Sequence, residues 1–300
     1  MLGRIGWRLA VAATLLAAAG CAAGAARPSA GSAAPSPAPT PAYRSYVALG
    51  DSYTAGPFIP TTDLAGGCFR SDHDYPALLA RRLHISRLTD VSCSAAKTTD
   101  LSRPQHTFRG AHVPAQLRAV SNGTDLVTLG IGGNDFNLFG TLVQTCTYLR
   151  RSDPTGAPCT SWLQQHQPDL LDDIGRTGDR VTRALHSIED RAPHARVVLV
   201  GYLRLAPAQG TCPALPLADG DYPLARRVGA TLDRALRRAA HRAHSSYVDM
   251  NAASAGHDVC AAHPWVNGKR TIRGKAFAYH PLEAGMRAVA RQVAAELAQH

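Results

Sequence analysis

Short stretches rich in Val, Leu or Ile recur at residues 45–49, 88–91, 125–130, 196–202 and 246–250. Runs of that length and composition suit strands buried on both faces. Between them the apolar positions fall at helical spacing over 75–83, 113–120, 168–191, 224–244 and 281–299. Asp74 is placed to cap the first of these helices, and Pro281 suits the first turn of the last. Gly175 and Gly178 predict a kink or break in the long third one. Five strands alternating with helices argue for a parallel sheet covered on both faces. With right-handed crossovers the economical solution is a three-layer α/β/α fold of flavodoxin-like type, built on a five-stranded parallel sheet. Ligands in such sheets bind beyond the carboxyl ends of the strands.

The front of the chain follows another pattern. Arg4 and Arg8 form a basic start, residues 9–19 are almost wholly apolar, and Ala18-Ala19-Gly20-Cys21 follows. This is an export signal over residues 1–21, too short for a membrane-spanning helix. The small residues before Cys21 resemble a lipobox, in which that cysteine is acylated and anchors the protein outside the cell membrane. Ala18 stands where such a motif usually has Leu, which leaves plain secretion as the alternative. Residues 22–42 are Ala, Pro, Ser and Gly with almost no large apolar side chain, so they cannot bury enough surface to fold and read as a flexible tether. Residues 43–300 then form one domain, expected to act as a monomer.

Beyond Cys21 the cysteines are Cys68, Cys93, Cys146, Cys159, Cys212 and Cys260, without metal-binding CxxC spacing. In an exported chain such a set is expected to form disulfides, and six cysteines allow 15 pairings. The sequential set Cys68–Cys93, Cys146–Cys159 and Cys212–Cys260 is expected, because each closes a loop beyond a strand's carboxyl end. The net charge of +10 is concentrated on 224–244. There Leu224, Val228, Leu232, Leu236 and Ala239 share one helical face, and six arginines lie mostly elsewhere. That is the pattern of a solvated outer face; attraction to anionic lipid or cell-wall polymer is the sharper alternative. Nucleic acid is not expected as a partner, since no stacking aromatics interleave the charge.

Three segments carry candidate chemistry: YVALGDSYTAG with Ser52, TLGIGGND with Asn134, and FAYHPLEAG with His280. A serine hydroxyl is a poor nucleophile until a base takes its proton and donors receive the charge on the attacked carbonyl. Each segment alone is a weak signal. Asp51-Ser52 could merely cap a helix, GGND could be an ordinary strand-to-helix turn, and 13 histidines are scattered through the chain. Together, in order and each just past a predicted strand or before a helix, they converge on one sheet edge.

The set resembles the GDSL/SGNH hydrolase superfamily over residues 46–285, and is similar to its exported actinobacterial lipase and esterase branch. CFRSDHDYP at 68–76, CSAAKTTDL at 93–101 and CAAHPWVNG at 260–268 support that branch, and the G-x-S-x-G elbow of other α/β hydrolases is absent. The resemblance implies the SGNH hydrolase fold, with Ser52 as nucleophile and His280 as general base. It implies an oxyanion hole from the Ser52 N–H, the Asn134 side-chain amide and a backbone N–H of the second block. The glycine of that block is replaced here by Ala95, whose N–H serves equally unless positive φ is needed. The Asp that usually precedes the histidine by three residues is Phe277, so the Phe277 carbonyl is expected to orient His280 in a Ser–His dyad. Glu283 is the alternative orienter. A neutral acceptor stabilises the imidazolium less than a carboxylate does, which implies modest activity.

The expected activity is hydrolysis of lipid or short acyl esters through an acyl-serine intermediate, with no cofactor and no metal. Asp72-His73-Asp74 is the only metal-like cluster, and Asp74 reads more economically as a helix cap. Asp135 is expected to orient the GGND turn through backbone bonds, and Trp265 either to line the acyl pocket or to pack in the core. Envelope-glycan deacetylation or acyl transfer is the alternative chemistry. A non-catalytic surface-binding module, supported only by Ala95 and Phe277, is the alternative class.

Overall fold

The computed structural model describes residues 43–299; the signal, Cys21 and the tether lie outside the described residues. The chain begins with β1 (Ser45–Gly50), a one-turn α1 (Ser52–Ala55), α2 (Tyr75–Arg82) and β2 (Arg87–Asp90). A small antiparallel pair, β3 (Gln105–His106) and β4 (His112–Val113), precedes β5 (Leu126–Gly130). Then α3 (Leu138–Gly140), a π-helical stretch (Thr141–Cys146) and α4 (Thr147–Leu149) run on as one irregular helical segment. They are followed by α5 (Pro158–His166), α6 (Leu170–Arg191), β6 (Arg196–Val200), α7 (Tyr222–Arg242), β7 (Ser246–Val248), α8 (Met250–Ala253) and α9 (Glu283–Leu297).

The main sheet has the order β2-β1-β5-β6-β7, and every pair in it is parallel. Alternation along the strands builds two cores. Val47, Leu49, Val127, Leu129, Val197 and Leu199 face Ile174, Val181 and Leu185 of α6 and Val228, Leu232 and Leu236 of α7. Tyr46, Ala48, Leu126, Val198 and Val200 face Leu79 of α2 and Met286, Val289 and Val293 of α9. The result is the expected three-layer α/β/α arrangement, with helices on both faces of a five-stranded parallel sheet.

Several elements differ from expectation. The 113–120 stretch is not a helix: Val113 ends β4, and only Gln116–Ala119 turns, as a 3₁₀ helix. Pro114 accounts for this, since it disfavours helical backbone at the residue before it. The 168–191 helix is unbroken from Leu170 to Arg191. Its Gly178 marks a close approach instead, because a Cβ there would lie 3.2 Å from the Ala235 carbonyl of α7. Pro281 lies ahead of α9, bridging Val266, and Leu282 is the N-cap. The last two strands stop at Val200 and Val248, sooner than predicted. Asp74 caps α2 by accepting from the Ala77 N–H at 2.8 Å.

The sulfurs pair in the sequential set: Cys68–Cys93, Cys146–Cys159 and Cys212–Cys260. Among the described residues no helix is long and apolar enough to cross a membrane.

Candidate active site

β1 and β5 lie side by side with Gly50 opposite Gly130, so the loops leaving both strands start together. The contact is close: a Cβ on Gly50 would sit 2.7 Å from the Gly130 carbonyl and 2.2 Å from the Thr54 hydroxyl. Only glycine fits there, which explains the residue before Asp51-Ser52. The chain then turns into α1, with Asp51 as N-cap accepting from the Tyr53 N–H at 2.8 Å. Ser52 is thereby the first residue of the turn, buried at the strand's carboxyl end.

His280 arrives from the far end of the sequence. Its Nε2 is 2.7 Å from Ser52 Oγ, across 228 residues of chain. Its Nδ1 is 2.7 Å from the Ala278 carbonyl. A carbonyl can only accept, so Nδ1 carries the proton and Nε2 is left as acceptor for the Ser52 hydroxyl. The orienting carbonyl therefore belongs to Ala278 and not to the expected Phe277. The reason is local: Tyr279 has a left-handed backbone, φ 60°, which curls the Ala278 carbonyl back beneath the ring of the next residue. The Phe277 carbonyl instead accepts from Asn267 Nδ2 at 3.0 Å and from the His280 N–H at 3.3 Å. Glu283 pairs with Arg287 on α9 and does not reach the imidazole.

Tyr53, Phe139 and Phe277 enclose the imidazole, with ring centroids 5.4, 5.7 and 5.1 Å away. Burial among them pushes the His280 pKa down to about 4, against the opposing pull of the Ala278 carbonyl. At neutral pH the ring is uncharged and can take a proton.

Asn134 follows β5 on the GGND turn. One of its amide hydrogens goes to the Ala96 carbonyl at 3.0 Å, which fixes the group while the second remains available. Ser52, Ala95, Asn134, Phe139, Phe277 and His280 all line one cavity of about 580 Å³. The backbone N–H groups of Ser52 and Ala95 have no protein acceptor among the described residues. Ala95 does adopt positive φ, 65°, so the condition under which alanine would be a poor substitute for glycine is met. The alanine nonetheless holds the left-handed conformation.

A set of residues to which the sequence assigned no role locks these loops together. Tyr202, just past β6, donates its hydroxyl to Asp51 and accepts from the Gly133 N–H at 2.8 Å, joining the serine turn to the GGND turn. Burial is the main cause that raises Asp51 to about 7, with nearby Asp135 adding to it and the Tyr202 and Tyr53 bonds opposing. Gln116 accepts from the Gly50 N–H at 2.8 Å and donates to its carbonyl at 2.9 Å, pinning the residue that precedes the turn. Asn267 donates to the Arg270, Ala276 and Phe277 carbonyls, and its own N–H reaches the His280 carbonyl at 2.8 Å. Tyr53 closes the ring of contacts by donating to the Tyr279 carbonyl at 2.7 Å. The partners of Tyr202, Gln116 and Tyr53 are 66 to 226 positions away, so no local motif announces those bonds.

Asp135 sits in the second tier. It is buried and accepts from the Thr98 N–H and hydroxyl and from Arg180, tying the GGND turn to the loop of Ala95. Its partners thus include a side-chain hydroxyl and a guanidinium as well as the backbone. Trp265 stacks on His257 at 4.1 Å and packs against the core cluster of α9, away from the cavity lining.

This geometry is what acyl transfer requires: a nucleophile on a base, the base on an orienter, and donors beside both. The sequence model of the GDSL-like Lipase/Acylhydrolase family matches residues 48–288. Lipase 2 of Streptomyces coelicolor is 40% identical over 256 residues, 82% of this chain and 83% of its own. The lipase of Streptomyces rimosus is 32% identical over 225 residues, 74% of this chain and 75% of its own. Among solved structures, phospholipase A1 from Streptomyces albidoflavus NA297 superposes with a TM-score of 0.65 at 26% identity, covering 85% of this chain and 99% of that one. Fold, motif placement and relatives agree, and the chain belongs to the GDSL-like lipase/acylhydrolase family, as an ester hydrolase.

Proposed function

We propose that the protein hydrolyses carboxylic esters outside the cytoplasm through an acyl-serine intermediate formed on Ser52. His280 Nε2 takes the Ser52 proton as Oγ attacks the acyl carbon. Charge collects on the former carbonyl oxygen, where the N–H groups of Ser52 and Ala95 and the Asn134 amide receive it. His280 then returns the proton to the departing alcohol, and a water activated by the same imidazole cleaves the acyl-serine. Through both steps the Ala278 carbonyl holds Nδ1–H and keeps the tautomer fixed. No metal or cofactor enters these steps.

The observation that carries this reading is the 2.7 Å contact between Ser52 Oγ and His280 Nε2 inside an aromatic-walled cavity. Lipid esters are the favoured substrates, since relatives include enzymes named lipase and phospholipase A1 and the cavity wall is aromatic. Three disulfides support export, because thiols stay reduced in the cytosol. Acylation of Cys21 would hold the enzyme at the membrane's outer side.

The test is turnover of 4-nitrophenyl esters of increasing acyl length. Ser52→Ala is expected to abolish it, and Asn134→Ala to lower kcat by about 100-fold or more with KM little changed. Turnover by Ser52→Ala equal to wild type would refute the nucleophile assignment.

A further inference from the structure

Six phenylalanines occur in the chain, and four form one continuous stack. Phe277, whose ring meets His280, lies 5.7 Å from Phe58. Phe58 lies 5.8 Å from Phe69, and Phe69 lies 5.9 Å from Phe108, with the last two rings nearly parallel at 3°. The row therefore starts beside the imidazole and ends on the loop joining β3 to β4. There Phe108 is 65% exposed, more than half its surface in water.

A single exposed apolar side chain needs no explanation, but a contiguous apolar row ending in one does. The row stands on a fixed base. Phe58 and Phe69 both hold left-handed backbones, φ 69° and 60°, which bulky residues avoid unless their surroundings impose it. Gly67 packs on the hairpin so closely that a Cβ would lie 2.4 Å from the Thr107 hydroxyl, and the adjacent Cys68 is bonded to Cys93. Phe58 and Phe69 are half-buried, and Phe108 is the most exposed of the four.

The charges beside it select the occupant. Lys97, Arg103, Arg109 and Arg118 are exposed across the segment that carries Phe108, against Asp100 alone. Arg103 and Arg109 have no acidic partner among the described residues. An aromatic tip flanked by cations matches the boundary between headgroups and acyl chains of an anionic lipid surface.

We propose that Phe108 and the arginines beside it dock the enzyme on a lipid surface, bringing the stacked phenylalanines and the catalytic cavity against the acyl layer. This goes beyond ester hydrolysis and concerns where the enzyme sits when it acts.

The test uses the full chain carrying Cys21→Ser, so that no acyl anchor contributes, and vesicles of ether-linked phosphatidylcholine and phosphatidylglycerol, which contain no ester to cleave. Phe108→Ser is expected to weaken binding by about tenfold. Arg109→Gln should weaken it by about fivefold at low salt and leave turnover of soluble 4-nitrophenyl acetate unchanged. Phe108→Trp reports the site locally: its added emission should shift to shorter wavelength with vesicles and be quenched by brominated lipid. Unchanged unfolding midpoints show that the variants remain folded. Vesicle binding by Phe108→Ser equal to wild type, or added emission in Phe108→Trp that is indifferent to lipid, would overturn the proposal. A fall in long-ester turnover with binding unchanged would overturn it too, leaving the row as an acyl-chain wall. Failure of the wild type on soluble ester would instead strike the hydrolase reading, and the two failures are read separately.

Discussion

Ala95 lines the catalytic cavity with its N–H free and its backbone at φ 65°. For an L-residue with a Cβ that conformation costs about 1–2 kcal/mol, a cost glycine avoids while losing more entropy on folding. Ala95→Gly should therefore raise stability by about 0.5–1 kcal/mol and retain turnover, read by chemical denaturation and ester assay. A destabilised variant would mean the alanine methyl contributes packing that offsets its backbone strain. The same scale decides the orienting group. Whether Phe277 or Ala278 presents its carbonyl to His280 depends on one dihedral at Tyr279, and tyrosine gives no sign of positive φ as a glycine would. Ser52, Asn134 and His280 were legible because their motifs place them on a strand end, a turn and a loop of defined type. Tyr202 and Gln116 were not, because a lone polar residue says nothing about a partner 66 to 151 positions away; Asn267 was not, because its partners are main-chain carbonyls of an irregular loop.

Among the elements, all five strands of the main sheet were readable, the two at its edges included, with bounds that differ by one or two residues. β1 and β5 are buried at every position, so their apolar runs announced them. β2 alternates exposed and half-buried residues at the sheet's rim, and its bounds differ from the expected ones by one residue. The β3–β4 pair and α5 carry no clear pattern, being short and held by tertiary contacts more than by periodicity. The two glycines of α6 are alike in sequence and unlike in place. A Cβ on Gly175 meets nothing within 4 Å, whereas one on Gly178 meets the α7 backbone at 3.2 Å. Gly175→Ala should stabilise the fold by about 1 kcal/mol through helix propensity alone. In Gly178→Ala the same gain is offset by about 1–3 kcal/mol of overpacking between helices. Denaturation midpoints of the two variants separate these cases, and equal gains would show that α6 and α7 are not in contact at Gly178.

At the scale of the whole molecule, function follows from parallel strands that all end on one side. Right-handed crossovers bring the serine turn, the GGND turn and the final loop to the same rim, although Ser52 and His280 stand 228 residues apart in the chain. Aromatic side chains from two of those segments and from the irregular helix after β5 then bury the imidazole, so packing keeps the ring uncharged at neutral pH. The proposed hydrolysis rests on Ser52 as nucleophile and on buried, uncharged His280 as its base. The most direct test is the rate at which a serine-reactive phosphonate labels the protein as pH is varied, with the modified residue located by mass spectrometry. A label on Ser52 is expected, with a rate that rises through one ionisation near pH 4 and then stays level to neutrality. A label on another residue, or a rate that climbs with hydroxide and shows no plateau, would contradict it.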